Sequence, residues 1–313
     1  MRAPGPTWVI LNPAAGQGRA ERAWPDLAPR LRALGVAFTQ AVTCGPGDAT
    51  ALAREATAGG AGRIIVAGGD GTLNEVINGC VQAGAAGGPL PTLALLPIGT
   101  GADFARRLGI TSPASALRAL QRGRPRAIDL GRVAYRDEAG REAERAFINV
   151  ADFGLGPDAS AALARGPRRL GQGAYLVAAL RAIADYRQAL VRLTVDDHPF
   201  YAGASGILAV GNSPYFGGGM AIAPKARPDD GLLDVVVLGA ADRRTLAGTL
   251  LPRVYAGTHL RHPAVHFARG STVTIEADPP LPLEVDGEIV GTTPARFALH
   301  PRQIPVLRPD DGK

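Results

Sequence analysis

Three short segments of this 313-residue chain are rich in glycine and free of lysine, and two of them also carry carboxylates, in a way that suits phosphate chemistry. They are Asn12-Pro13-Ala14-Ala15-Gly16-Gln17-Gly18, Gly68-Gly69-Asp70-Gly71-Thr72-Leu73-Asn74-Glu75, and Pro97-Ile98-Gly99-Thr100-Gly101-Ala102-Asp103-Phe104-Ala105-Arg106. Glycine lets a backbone approach a phosphate closely, and successive N–H groups or a helix N-terminus hold its oxygens. A carboxylate in such a loop repels a bare phosphate. Asp70 and Asp103 therefore make sense if a magnesium ion bridges carboxylate and phosphate, or if they orient a hydroxyl. One such loop alone reads equally well as a tight turn from strand to helix. Three together argue for a ligand.

Asp286-Gly287-Glu288 adds two carboxylates close in sequence. Val285 to Val290 reads as a strand or a tight hairpin; if it is extended, positions 286 and 288 share one face. Two carboxylates so close push one pKa upward and leave a base matched to a substrate hydroxyl. A polar Asp-Gly turn is the alternative. Asp229-Asp230-Gly231 can present one carboxylate and two carbonyls to a hard cation, or be a solvated turn. His259, His262 and His266 have an H-x2-H-x3-H spacing, but Pro263 interrupts any helix that would align them. They are read as buried or surface histidines rather than zinc ligands. Arg165, Arg168 and Arg169, and Arg118, Arg122, Arg124 and Arg126, read as solvated faces, with docking on an anionic leaflet as the other use. Aromatic residues make up 5% and do not interleave with these arginines, which argues against a nucleic-acid partner.

The elements that must position these groups change character along the chain. Trp8 to Leu11, Val36 to Val42, Arg63 to Ala67 and Thr92 to Leu96 read as buried strands. Helical stretches at Ala20 to Leu34, Asp48 to Ala58 and Thr72 to Val81 separate them, so a parallel, doubly wound sheet follows. The three glycine loops then gather on the edge where such sheets bind ligands. Beyond about Asp129 the strands alternate: Arg145 to Val150, Leu190 to Val195, Gly203 to Val210, Leu233 to Leu238 and Val273 to Ile275. A second, largely antiparallel domain is expected. Ile304 to Leu307 is placed as a strand returning to the first. The domains are drawn as 1–130 with 301–313, and 131–300.

Composition excludes several classes. Hydrophobic residues at 46% and charged residues at 20% argue for a folded chain rather than a disordered one. The net charge is +6, and Lys225 and Lys313 are the only lysines, so a P-loop lysine is excluded. Cys44 and Cys80 have no metal-ligand spacing and imply a reduced, cytoplasmic protein. No apolar run reaches the roughly 18 residues of a membrane span, so any membrane is met from its surface.

Taken together, Asn12-Pro-Ala-Ala-Gly16, the GGDGTLNE stretch, Gly99-Thr-Gly-Ala-Asp-Phe-Ala-Arg106, Gly217-Gly-Gly-Met220 with Pro224, Asp229-Asp-Gly-Leu-Leu-Asp234 and Asp286-Gly-Glu288 resemble the diacylglycerol kinase catalytic family. The match is to its soluble bacterial lipid kinases, related to sphingosine kinases and NAD kinases, and covers essentially the whole chain. The resemblance implies an α/β fold: a Rossmann-like N-terminal domain, a β-rich C-terminal domain and an active site in the cleft between them. It implies ATP on Asn12, Pro13, Gly16, Thr43, Gly68, Gly69, Asp70, Gly71, Thr72, Leu73, Asn74, Glu75 and Thr100. It implies Asp70 and Asp103 in the magnesium and hydroxyl network, and Glu288 as base with Asp286 as partner or rival. A separate structural magnesium ion would sit on Asp230 and the carbonyls of Arg227 and Leu232. The acceptor it implies is a lipid such as diacylglycerol at the inner membrane surface, with a homodimer left open. A kinase of a sphingoid base or of a soluble acceptor such as NAD is the alternative. An NAD kinase does not need the Asp229 to Asp234 pattern, and a non-catalytic regulator would not need all four carboxylates. One departure stands out: Ala102 occupies the place of the family's usual Asn.

Overall fold

The computed structural model describes residues 5–85, 87–99, 102–165 and 173–309. Thr100, Arg168, Arg169 and the Arg165 side chain lie outside the described residues. The chain divides into two units, Met1–Ile128 with Arg302–Lys313, and Asp129–Pro301.

The inner strands of the first unit are short, apolar and largely buried, as a sheet covered by helices requires, while the edge strands are more exposed. Its elements are β1 (Thr7–Leu11), α1 (Ala15–Ala33), β2 (Thr39–Val42), α2 (Asp48–Ala58), β3 (Arg63–Gly68), α3 (Asp70–Gly84), β4 (Thr92–Pro97), α4 (Asp103–Arg107), α5 (Pro113–Arg122) and β5 (Arg124–Ile128). β17 (Ile304–Arg308), the last strand of the chain, completes the sheet in the order β2-β1-β3-β4-β17-β5. All pairs are parallel except β17 with β5. On α3, Leu73, Val76, Ile77 and Cys80 recur at helical spacing and are buried, which fixes the helix on the sheet. Asp70 in its first turn complements the positive end of the helix.

The second unit contains β6 (Gly131–Arg136), β7 (Glu142–Phe147), β8 (Val150–Gly154), α6 (Leu155–Arg165), α7 (Gly173–Ala184), β9 (Ala189–Val195), β10 (His198–Ser205), β11 (Ile207–Gly211) and β12 (Leu233–Leu238). After it come α8 (Arg243–Thr245), a π turn at Leu246–Leu250, α9 (Leu251–Tyr255), β13 (Val265–Gly270), β14 (Thr272–Asp278), β15 (Pro282–Val285) and β16 (Glu288–Leu299). The strands form one antiparallel sheet, β10-β9-β14-β16-β15-β8-β11-β12-β13, with β6 on β16 and β7 on β6. Alternation along β8, β11 and β12 sorts the side chains between two cores. Phe153, Leu208, Val210, Val235 and Val237 join Phe147 and Phe297 on one face, where the phenyl rings meet edge to face. Val150, Ala209 and Val236 pack on the other.

Three sequence expectations change here. Gly203 to Val210 is two strands, because the chain breaks at Gly206, where an added Cβ would lie 2.3 Å from the Arg187 carbonyl. Arg145 to Val150 breaks at Ile148-Asn149. Asp286 and Gly287 are a hairpin turn, both at positive φ (49° and 91°), between β15 and β16. Residues 286 and 288 therefore do not share the face of one extended strand.

Candidate active site

In the first unit the glycine loops leave the carboxyl ends of β1, β3 and β4 and are tied to each other. Gly16, Gln17 and Gly18 all adopt left-handed φ (63°, 61° and 78°), so α1 becomes regular only after a tight loop. A Cβ on Gly16 would lie 2.5 Å from the Ile98 carbonyl, so only glycine permits this approach. Arg19 clasps the first and third loops, donating from Nε to the Gly16 carbonyl (3.1 Å) and from Nη2 to the Gly99 carbonyl (2.9 Å). Sequence reading missed Arg19, which nothing local distinguishes in an arginine-rich chain. Asn12 donates from Nδ2 to Thr72 Oγ1 at 3.0 Å, joining the first loop to the second. Thr43, buried, continues from β2 and donates its N–H to the Leu11 carbonyl.

Asp70 joins the second loop to the third. Its carboxylate accepts from the N–H groups of Asp103 (2.9 Å) and Phe104 (3.3 Å), the first turn of α4. The N-cap of α4 is Ala102, which has no side chain able to cap, so Asp70 supplies that acceptor from another element. Asp103 is buried and ion-paired with Arg106. Gly68 must lack a side chain, since a Cβ there would lie 2.6 Å from Thr72 Oγ1. Gly69 and Gly71 flank Asp70 at the start of α3, where helix-start N–H groups face outward along the axis and favour an anion. Leu73 and Asn74 are buried, so their side chains belong to the frame around the loop. Glu75 accepts from the Ala49 N–H (3.0 Å) and thereby ties α3 to α2. Gly68, Gly69, Asp70, Pro97 and Ala102 line a small hollow of about 10 Å³.

In the second unit Asp286 is a clamp. Its carboxylate accepts from the N–H groups of Ile148 (2.9 Å), Asn149 (2.9 Å) and Val150 (3.1 Å), which explains the break between β7 and β8. Glu288 is 40% exposed and held by Arg145, whose Nη2 lies 2.6 Å from Oε2. Asp286 is thus tied to backbone N–H groups and Glu288 to a side chain.

A second pair of carboxyls, which sequence reading missed, is buried in the sheet of this unit. Asp152 on β8 is the register partner of Glu284 on β15, and both are buried. Burial pushes the Asp152 carboxyl well above the usual range, and the neighbouring Glu284 raises it further. Burial also raises Glu284. Both sit inside runs that read as core, Ala151-Asp152-Phe153 and Leu283-Glu284-Val285; a carboxylate at the centre of an apolar strand is the signal that was available.

Asp152 faces a cavity of about 80 Å³ inside the second unit, walled by Leu155, Ile183, Phe216, Ile222, Leu246 and Val254 among others. Roughly 10–15 Å³ suffices to hold one water, so several methylene-sized groups fit. Three successive glycines at positive φ, Gly217 to Gly219, turn the chain so that Phe216 and Met220 meet on its wall. His259 lines it too, with Nε2 on the Ile222 carbonyl (3.0 Å), and burial pushes its imidazole pKa down. His262 instead accepts from the Ala264 N–H and His266 packs on Tyr201, so the three histidines do not converge.

At the expected structural magnesium site, Asp230 is ion-paired with a guanidinium. Arg269 is the register partner of Asp234; its Nε donates to Asp234 Oδ1 (2.7 Å) and its Nη2 to Asp230 Oδ2. Asp230 Oδ1 accepts from the Leu232 N–H, and Asp129 accepts from the Gly231 N–H. Arg269 and the Leu232 N–H each take one lone pair of Asp230, so a metal ion on Arg227, Asp230 and Leu232 would compete with the guanidinium. Among the described residues no group of three or more His, Cys, Asp or Glu side chains is placed to hold one. Without nucleotide, the melting temperature should be the same in magnesium and in chelator. Arg269→Gln should destabilise by about 3 kcal/mol, because Asp234 is left buried and unpaired. A magnesium-dependent rise in the wild-type melting temperature would overturn this.

The chain is similar to known proteins along most of its length. Residues 6–133 match the diacylglycerol kinase catalytic domain, and residues 149–308 match the YegS C-terminal NAD kinase beta sandwich-like domain. A "Probable lipid kinase YegS-like" protein of Chromohalobacter salexigens is 32% identical over 98% of this chain and 94% of its own length. A diacylglycerol kinase of Mycobacterium tuberculosis is 31% identical over 98% of this chain and 96% of its own. The crystal structure of a diacylglycerol kinase from Bacillus anthracis shares the fold, with a TM-score of 0.72 over 97% of this chain and 96% of that one, at 23% identity. The chain belongs to the diacylglycerol kinase and YegS-like lipid kinase family.

Proposed function

We propose that the protein transfers the γ-phosphoryl group of ATP to a primary hydroxyl of an acyl lipid such as diacylglycerol. The observation that carries the lipid assignment is the apolar cavity beside Asp152, which a soluble acceptor such as NAD would not require. The loops clasped by Asp70, Arg19 and Asn12 hold the triphosphate, and magnesium enters with ATP as part of the substrate. The lipid hydroxyl oxygen attacks the γ-phosphorus, the bond to the β,γ-bridging oxygen breaks, and ADP leaves. Glu288 takes the hydroxyl proton. Positioning and electrostatics supply most of the rate, as in phosphoryl transfer generally. Among the described residues no helix is long and apolar enough to cross a membrane. In this reading the lipid is reached from a membrane surface, and the exposed Arg118, Arg122, Arg124 and Arg126 offer basic groups for that contact.

Ala209 of β11, buried and lining the cavity beside its register partner Asp152, provides the test. Ala209→Phe fills the space a chain would enter. Phosphorylation of diacylglycerol in mixed micelles should fall at least about tenfold, while ATP affinity stays unchanged. Unaltered lipid turnover in a well-folded variant would mean the chain binds elsewhere.

A further inference from the structure

The Asp152–Glu284 pair has no part in the phosphate loops or in the base, yet it sits where a folding protein gains nothing from it. Two carboxyls on neighbouring strands, 4% and 2% exposed, cost stability that apolar residues of the same size would not. Glu284 Oε2 has no hydrogen-bond partner, and Ser160 on α6 is the neighbour that bonds Glu284. Asp152 is fixed by shape: a Cβ on Gly156 would lie 1.6 Å from its Oδ2, so the glycine at the start of α6 leaves room for the carboxyl. The cavity it faces is otherwise apolar apart from His259.

We propose that the Asp152–Glu284 pair is the polar anchor of the cavity, donating a hydrogen bond to an ester carbonyl of an uncharged acyl lipid and so fixing how far the chain enters. This rests on the reading that the cavity takes the acceptor's chain. Two adjacent buried carboxyls do not both ionise, so the pair keeps a proton and presents an O–H donor. A carbonyl accepts and cannot donate, which matches that donor; a phosphate headgroup would be repelled by the remaining charge. The other titratable groups near the pair are Asp286, which raises Glu284 further, and His259, held neutral by burial.

Esters and ethers separate this anchor from the cavity itself. Wild-type enzyme in mixed micelles should phosphorylate a diacylglycerol with a KM about tenfold below that of the matching dialkylglycerol ether, which lacks the carbonyls. Asp152→Leu should lose that preference with the ATP KM within twofold, and Asp152→Asn, whose amide still donates, should restore most of it. Asp152→Leu should also melt no lower than wild type, with its advantage growing as pH rises. The raised carboxyls favour the fold below their unfolded pKa values, and that contribution is lost as pH rises through the folded ones. Equal KM values for ester and ether in the wild type would overturn the anchor while leaving the lipid kinase reading standing. So would a preference for an amino lipid. Failure to phosphorylate any lipid would overturn both.

Discussion

Asp70→Asn is expected to lower turnover at least about a hundredfold, roughly 2.7 kcal/mol of transition-state stabilisation, with the fold retained. The carboxylate bonds two N–H groups of α4 from the first turn of α3, so one side chain sets the spacing of two phosphate loops. An amide keeps one acceptor oxygen and turns an NH2 group towards a donor. One N–H of α4 is then left without its partner, at a cost of about 1–3 kcal/mol. The third loop shifts away from the second, and a displacement of an ångström is enough to cost a hundredfold in rate. Turnover under saturating ATP and lipid, read beside a melting curve, checks this. Near-normal turnover would reduce Asp70 to a turn residue.

The second large effect separates the two late carboxylates. Glu288→Gln should reduce turnover by about 100-fold or more, the range of general-base catalysis, with ATP binding and melting temperature unchanged. Glu288 is partly exposed and touches Arg145, so its amide is tolerated by the fold. Asp286→Asn should instead destabilise, because three backbone N–H groups lose a charged acceptor. Its activity should fall in step with folded protein. If Asp286→Asn folds normally and abolishes turnover while Glu288→Gln stays active, the base is Asp286.

How much of this was legible depended on whether the signal was local. The parallel sheet was readable because Ile64 to Ala67 and Leu93 to Leu96 are continuous apolar runs, each leading into a glycine-containing loop. Asp70 and Asp103 stood out because a carboxylate among glycines is conspicuous. The clasp by Arg19 did not, since it depends on the carbonyl of Gly99, far along the chain. In the second unit, the breaks at Gly206 and Ile148-Asn149 are imposed by Arg187 and Asp286, neither of which is adjacent. The Asp286–Gly287 turn was one of two readings, and left-handed φ at both residues decided it. Asp152 and Glu284 are paired by strand register alone, which no local pattern reveals. The Asp-Asp-Gly turn looked suited to a cation and does bind one, but register puts the guanidinium of Arg269 there.

The central claim is that a phosphoryl group leaves ATP for a lipid hydroxyl. Its most direct measurement gives purified protein magnesium and ATP labelled at either the γ- or the α-phosphate, with diacylglycerol micelles and NAD offered together. The account predicts label in the organic phase, as the phosphorylated diacylglycerol, from γ-labelled ATP only, and none in NAD. Label confined to the aqueous phase, or transferred to NAD, would contradict it.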